Sequence, residues 1–237
     1  MKISIIVPIY NEEKTIIKVL NKINIIKDKI NKEFEIIVVD DGSIDGTKEI
    51  LNKNNDLFDE IIDIERNQGK GNAIDEGFKK SSGDIIIIQD ADLEYDPNEY
   101  PKLILPFEKF DADIVYGSRF RSSNINRVLF FWHSLANKII TLTSNIFSDL
   151  NLTDVETGYK VFRKEIIKNM NIEEKRFGFE IEITHKIANL KPKPKIFEVG
   201  VSYFGRTYEE GKKIGIKDAF RAIYCIMKFG LIKKYWK

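Results

Sequence analysis

Short apolar runs punctuate the first half of the chain, at residues 3–7, 34–39, 60–64, 85–88 and 113–116, and each has the length of a strand. Between them, residues 12–26, 47–54, 72–80 and 98–107 carry apolar side chains at helical spacing. Strands alternating with helices predict an α/β fold, with crossover units building a mostly parallel sheet covered by helices on both faces. Ligands of such sheets bind beyond the carboxyl ends of the strands. The segments that follow the strands therefore carry the functional information.

Read in order, those segments are Pro8-Ile9-Tyr10-Asn11-Glu12, Asp40-Asp41-Gly42-Ser43, Asn67-Gln68-Gly69-Lys70-Gly71-Asn72, Gln89-Asp90-Ala91-Asp92-Leu93-Glu94 and Gly117-Ser118-Arg119-Phe120. Polar, acidic and glycine-rich stretches thus gather on one sheet edge. Asp90 and Asp92 stand one residue apart just past a run of four isoleucines. Two carboxylates so placed suit Mg²⁺ or Mn²⁺ shared with phosphate oxygens, and Glu94 adds a third oxygen donor. Asp40 is placed to accept hydrogen bonds from a nucleobase or ribose, while Ser43 or Asp45 caps the helix that follows. The same stretch is no EF-hand, because its twelfth position is Asn52 and a strand precedes it. Gly69-Lys70-Gly71 lacks the third glycine of a dinucleotide fingerprint, having Ile74 there, and follows the third strand rather than the first. Its glycines permit close approach to a ligand, with Lys70 supplying charge.

Composition narrows the setting. Lys and Arg total 38 against 37 Asp and Glu, which argues against a nucleic-acid-binding surface. The single cysteine, Cys225, forms no internal disulfide and fits a reducing, cytoplasmic location. No run approaches the roughly 20 apolar residues of a spanning helix, so membrane work would be peripheral, on the cytoplasmic face. We expect one catalytic domain over 1–213 and a C-terminal amphipathic basic helix over 214–237 within the same unit.

The second half is less explicit. Asp154-Val155-Glu156-Thr157-Gly158-Tyr159-Lys160 leads into a short strand ending at Phe162 and reads either as plain loop or as the lining of an acceptor pocket. Residues 126–147 mix Phe130, Phe131, Trp132 and His133 with polar positions, in a pattern that suits a lipid interface. Phe220, Ile223 and Met227 share one face of a helix over 216–231, followed by the basic, aromatic residues 233–237. Core packing or membrane contact explains that face.

Together these motifs resemble glycosyltransferase family 2, specifically its dolichyl-phosphate mannose and glucose synthase group, over nearly the whole chain. The resemblance rests on Pro8-Ile9-Tyr10-Asn11-Glu12, Val39-Asp40-Asp41-Gly42-Ser43, Asp90-Ala91-Asp92 and Gly117-Ser118-Arg119. It implies a GT-A fold and a nucleotide-diphosphate sugar donor of the GDP-mannose or UDP-glucose type. Pro8, Tyr10, Glu12, Val39 and Asp40 would hold the nucleoside, and Asp90, Asp92 and Glu94 the metal. Glu94 departs from the glutamine common in the mannose synthases. Arg119 would contact the acceptor, a polyprenyl or dolichyl phosphate. His133 and Asn137 fall where relatives place an arginine and a serine for that phosphate. Arg206 and Lys212 keep the spacing of two basic residues that clamp the diphosphate.

The expected chemistry is an inverting transfer carried by Asp92 and Arg119. A lipid phosphate is already anionic and needs no base, whereas a saccharide hydroxyl would need one, for which Asp154 or Glu156 is the candidate. A non-catalytic nucleotide-binding protein is the third reading.

Overall fold

A computed structural model describes residues 1–121, 125–128, 130–207, 209–211 and 215–231. Lys212 and the basic, aromatic end at 233–237 lie outside these described residues. Seven strands form one sheet: β1 (Lys2–Ile9), β2 (Glu33–Asp40), β3 (Glu60–Asp63), β4 (Ile85–Ile88), β5 (Ile114–Ser118), β6 (Lys160–Arg163) and β7 (Ile196–Gly200). Their spatial order is β3-β2-β1-β4-β6-β5-β7. All neighbours pair in parallel except β6, which runs antiparallel between β4 and β5.

The helices are α1 (Ile16–Lys29), α2 (Thr47–Lys53), α3 (Lys70–Lys80), α4 (Tyr100–Lys109), α5 (Phe131–Ser148), α6 (Lys164–Ile167), α7 (Phe179–Ala188) and α8 (Ile216–Leu231). Successive strand residues point to opposite faces, and β4 shows why its sequence is uninterrupted isoleucine. Ile85 and Ile87 enter the core with α1 and α4, while Ile86 and Ile88 enter the one that includes residues of α3, α7 and α8. A strand buried on both faces has no polar position to offer.

The predicted strands all form, with ends shifted by one or two residues. Helix α1 starts at Ile16 rather than residue 12, because Glu12 and its neighbours are held in a turn: the Glu12 carbonyl accepts from the Thr15 and Ile16 amides and the Glu12 amide donates to Thr47 Oγ1. The fold is the expected GT-A arrangement.

Helix α8 packs on α5 and α7. Ala222, Cys225, Ile226 and Phe229 face the core, whereas Phe220, Ile223, Tyr224, Met227 and Leu231 are exposed. The predicted face of Phe220, Ile223 and Met227 is therefore the solvent-facing one. Helix α5 likewise exposes Phe131, Trp132, Ile139, Leu142 and Ile146. No helix among the described residues is long and apolar enough to cross a membrane.

Candidate active site

The carboxyl ends of β1, β2 and β4 deliver the first three motifs to one edge. Pro8 and Val39 are register partners on β1 and β2. Val39 has no exposed surface and its side chain packs in the core, which leaves its backbone as the part that can face a nucleoside. Asp40 is also buried, and its Oδ1 accepts from the Ser43 amide at 3.0 Å and the Ser43 hydroxyl at 2.5 Å. Asp41 staples the neighbouring loop through the amides of Gln68 (2.9 Å) and Gly69 (2.7 Å). Tyr10 closes β1 in a bend, half-buried.

Gly69 and Gly71 make a close approach, but to the chain itself. A Cβ on Gly71 would sit 2.0 Å from the Glu174 carbonyl oxygen, and one on Gly69, whose φ is +106°, 2.4 Å from that of Lys175. These glycines lock α3 against residues 174–175 and do not open onto a ligand. Lys70, first in α3, is directed inward and pairs with Asp90 at 2.8 Å and Glu180 at 3.2 Å. Those two carboxylates raise its proton affinity against the opposing effect of burial.

Past β4 the chain turns sharply, with Leu93 in the left-handed region at φ 65°. That turn presents Asp92 and Glu94 to Arg206, a residue more than a hundred positions away in sequence. Arg206 meets Asp92 at 2.9 Å, Glu12 at 3.5 Å and Glu94 at 3.5 Å. One guanidinium thus ties the turn after β1 to the acidic turn. Burial, with Asp90 and Glu94 nearby, pushes the Asp92 carboxyl above its ordinary range. Glu94 is engaged on both oxygens, accepting from the Tyr203 hydroxyl and the Arg206 amide, each at 2.8 Å.

The site's fit to a divalent cation follows from this donor set. Like charges crowd at Asp90 and Asp92, and an added cation would relieve them. Glu94, by contrast, serves as a brace for the segment that carries Arg206. Among the described residues no three Asp, Glu, His or Cys side chains form a metal-holding group. A cation held by Asp90 and Asp92 would complete its shell from phosphate oxygens and water.

On the β5 side, Arg119 and Asp154 form a forked pair, with Nε to Oδ2 and Nη2 to Oδ1 both at 2.7 Å. The Arg119 amide adds a third bond to Asp154 at 3.1 Å, and Asn137 Nδ2 a fourth at 3.1 Å. Asp154 has no exposed surface. Tyr203 lies across the guanidinium, its ring centre 5.1 Å away. Asn137 thus meets the same carboxylate as Arg119, and its Oδ1 is buried without a partner. His133, one turn earlier on α5, packs against the Phe130 ring at 5.3 Å.

Sequence reasoning missed Glu180 and Tyr203. Glu180 stands among Phe179, Ile181 and Ile183 on a helix that is buried almost all round, and an acid in such a run was the signal available. Tyr203 stands alone in an irregular segment and gave none.

The comparisons agree with this geometry. The family model for glycosyl transferase family 2 matches residues 4–170. A dolichol-phosphate mannosyltransferase of Pyrococcus furiosus is 30% identical over 97% of this chain and 64% of its own length. An undecaprenyl-phosphate 4-deoxy-4-formamido-L-arabinose transferase of Proteus mirabilis is 29% identical over 89% of this chain and 62% of its own. The chain therefore spans less than two thirds of these two relatives. Among solved structures, glucosyl-3-phosphoglycerate synthase from Mycobacterium tuberculosis, in complex with Mn²⁺, UDP and phosphoglyceric acid, superposes with a TM-score of 0.74. It covers 97% of this chain and 78% of its own, at 19% identity, a likeness of fold alone. With the match spanning every motif from β1 to β6, on a sheet whose carboxyl edge gathers those motifs as described, the chain belongs to glycosyltransferase family 2.

Proposed function

We propose that this chain transfers a hexose from a nucleotide-diphosphate sugar to a polyprenyl phosphate, working at a membrane surface on its cytoplasmic side. The observation that carries the acceptor class is the state of Asp154. A base for a saccharide hydroxyl must be free to take a proton. Asp154 is fully buried and holds both oxygens against Arg119. A phosphate acceptor needs no base; it needs a cation held in place, and the Arg119–Asp154 pair supplies a fixed one. The two relatives, whose names carry dolichol phosphate and undecaprenyl phosphate, support this reading.

For the donor, charge develops on the departing diphosphate. Mg²⁺ or Mn²⁺ at Asp90 and Asp92 would supply electrostatic stabilisation of that charge. Arg206, held at the same edge, moves from its carboxylate partners to the diphosphate, and Lys212 is proposed to assist it. Arg119, with Asn137 and His133 on the adjoining helix, orients the acceptor phosphate. Tyr10, Pro8, Glu12 and the Asp40 turn border the nucleoside. The exposed apolar rows of α5 and α8 lie on helices that pack together, and α5 carries Asn137, so a bilayer on that face would present its phosphates near the site.

A second reading, transfer to a saccharide hydroxyl, draws on one observation. Glu156 has a buried carboxylate oxygen with no partner, and burial beside Glu180 raises its proton affinity. The first test is thermal stabilisation by GDP, UDP and their sugars, with and without Mn²⁺. One nucleotide series should stabilise the wild type only with metal, and Asp92→Asn should lose that response while folding normally. Equal stabilisation of Asp92→Asn contradicts the donor site.

A further inference from the structure

A cluster of buried charge lies next to Asp90 and is used by neither the metal nor the acceptor assignment. It comprises Lys70 from α3, Glu156 and Lys160 around the start of β6, and Glu180 from α7. Lys70 bridges Asp90 and Glu180, so the cluster begins where the diphosphate site ends. The loop carrying Glu156 presses on the same carboxylate: a Cβ on Gly158 would lie 2.3 Å from Asp90 Oδ2. Glu156 and Glu180 in turn face one another closely enough to repel.

The cluster's hydrogen bonding is lopsided. Every cation in it is committed. Lys70 has its two carboxylates; the Lys160 ammonium donates to the Thr157 carbonyl and lies 5.4 Å from the Tyr116 ring centre; Arg119 beyond it is forked on Asp154. One oxygen on each of two carboxylates is not. Glu180 is only 4% exposed, yet its Oε2 has no hydrogen-bond partner, and neither does the buried Oε1 of Glu156. Buried polar atoms without partners are rare, because each forfeits its hydration. Two buried acceptors left open within one charged cluster call for a ligand that donates.

We propose that Glu156 and Glu180 form the floor on which the transferred sugar sits, accepting hydrogen bonds from its hydroxyls or from an amino substituent. The inference rests on the donor reading above and names the donor's sugar class. An open carboxylate oxygen accepts hydrogen bonds, so a sugar's hydroxyl or amino groups are matched here, whereas a uronate brings a further carboxylate into a cluster already crowded with acids. The donor is a neutral hexose or an amino sugar in preference to a uronic acid. It also assigns Glu156 to ground-state sugar binding and not to proton removal from an acceptor.

The test is calorimetric titration of the whole chain in Mn²⁺ with UDP, UDP-glucose and UDP-glucuronate, and with GDP, GDP-mannose and GDP-mannuronate. In the series that binds, the wild type should take the neutral sugar nucleotide at least tenfold more tightly than the uronate. Glu156→Gln and Glu180→Gln should each keep the affinity for the bare diphosphate within about twofold while weakening the neutral sugar nucleotide about tenfold. Retained diphosphate binding also certifies that each variant is folded. Equal affinity of the wild type for both sugars, or sugar-nucleotide binding unchanged in both variants, overturns the floor while leaving the donor site standing. Glu156→Gln that binds the sugar nucleotide normally but no longer transfers it makes Glu156 a base and also overturns it. Failure of the wild type to bind any diphosphate removes the donor reading and the floor together.

Discussion

Substituting Asp154 with asparagine keeps the shape of the side chain and removes its charge. In the native fold this carboxylate accepts two bonds from the Arg119 guanidinium at 2.7 Å, one from the Arg119 amide and one from Asn137. An asparagine offers one oxygen in place of two and turns an NH₂ group towards donors. Arg119, with only 18% of its side chain exposed, is left without its counter-charge. Removing one partner of a buried ion pair costs about 3–5 kcal/mol. The remaining asparagine oxygen and the partial exposure place Asp154→Asn near the lower end, about 3 kcal/mol, or roughly 10 °C in Tm for a chain of this size. Denaturant unfolding read by circular dichroism measures it, and the slope m should be unchanged if only the native contact is lost. Replacing both partners, Arg119→Leu with Asp154→Leu, should recover most of the loss, since the cost lies in the uncompensated charge. A loss under about 1 kcal/mol for Asp154→Asn would equate the pair with an exposed salt bridge and refute the argument.

Two further outcomes follow from other parts of the molecule. His185 is fully buried, with Nε2 3.2 Å from Ser144 Oγ and Nδ1 unpartnered, and burial lowers its pKa from 6.5 to about 4. A lowered folded-state value means the unfolded chain takes the proton first. The stability is therefore complete above pH 6.5 and falls as pH drops towards 4, by about 2 kcal/mol at pH 5. His185→Gln should flatten that part of the stability–pH curve in denaturant titrations, and an unchanged curve would show that other groups set it. On the exposed face of α5, Trp132→Glu with Ile146→Glu should reduce co-sedimentation with anionic phospholipid vesicles at least tenfold while Tm holds; undiminished sedimentation would place the lipid contact elsewhere.

Much of the edge that forms the site was legible because it follows from strand chemistry. A strand buried on both faces must be apolar throughout, so Ile85–Ile88 announced β4 and located Asp90 and Asp92 just beyond it. The partners of those residues were not legible in the same way. Arg206 reaches Asp92 across 114 positions, and Tyr203 reaches Glu94 across 109, through a segment with no periodicity. Spacing from a family pattern suggested Arg206, but nothing local marked Tyr203. The antiparallel insertion of β6 was hidden too, since its four residues are too short to show direction. Val39 shows how a motif position divides: the β2 alternation puts its side chain in the core, so any ligand contact there falls to the backbone.

Everything proposed for Arg119 depends on the acceptor being a lipid phosphate. It is tested most directly by incubating the chain and Mn²⁺ with radiolabelled GDP-mannose or UDP-glucose, in the presence of polyprenyl-phosphate vesicles or of oligosaccharides. Label should appear in the organic-extractable, polyprenyl-phosphate-dependent fraction and be lost in Arg119→Ala. Label appearing instead in the oligosaccharide, with none in the lipid, would contradict it.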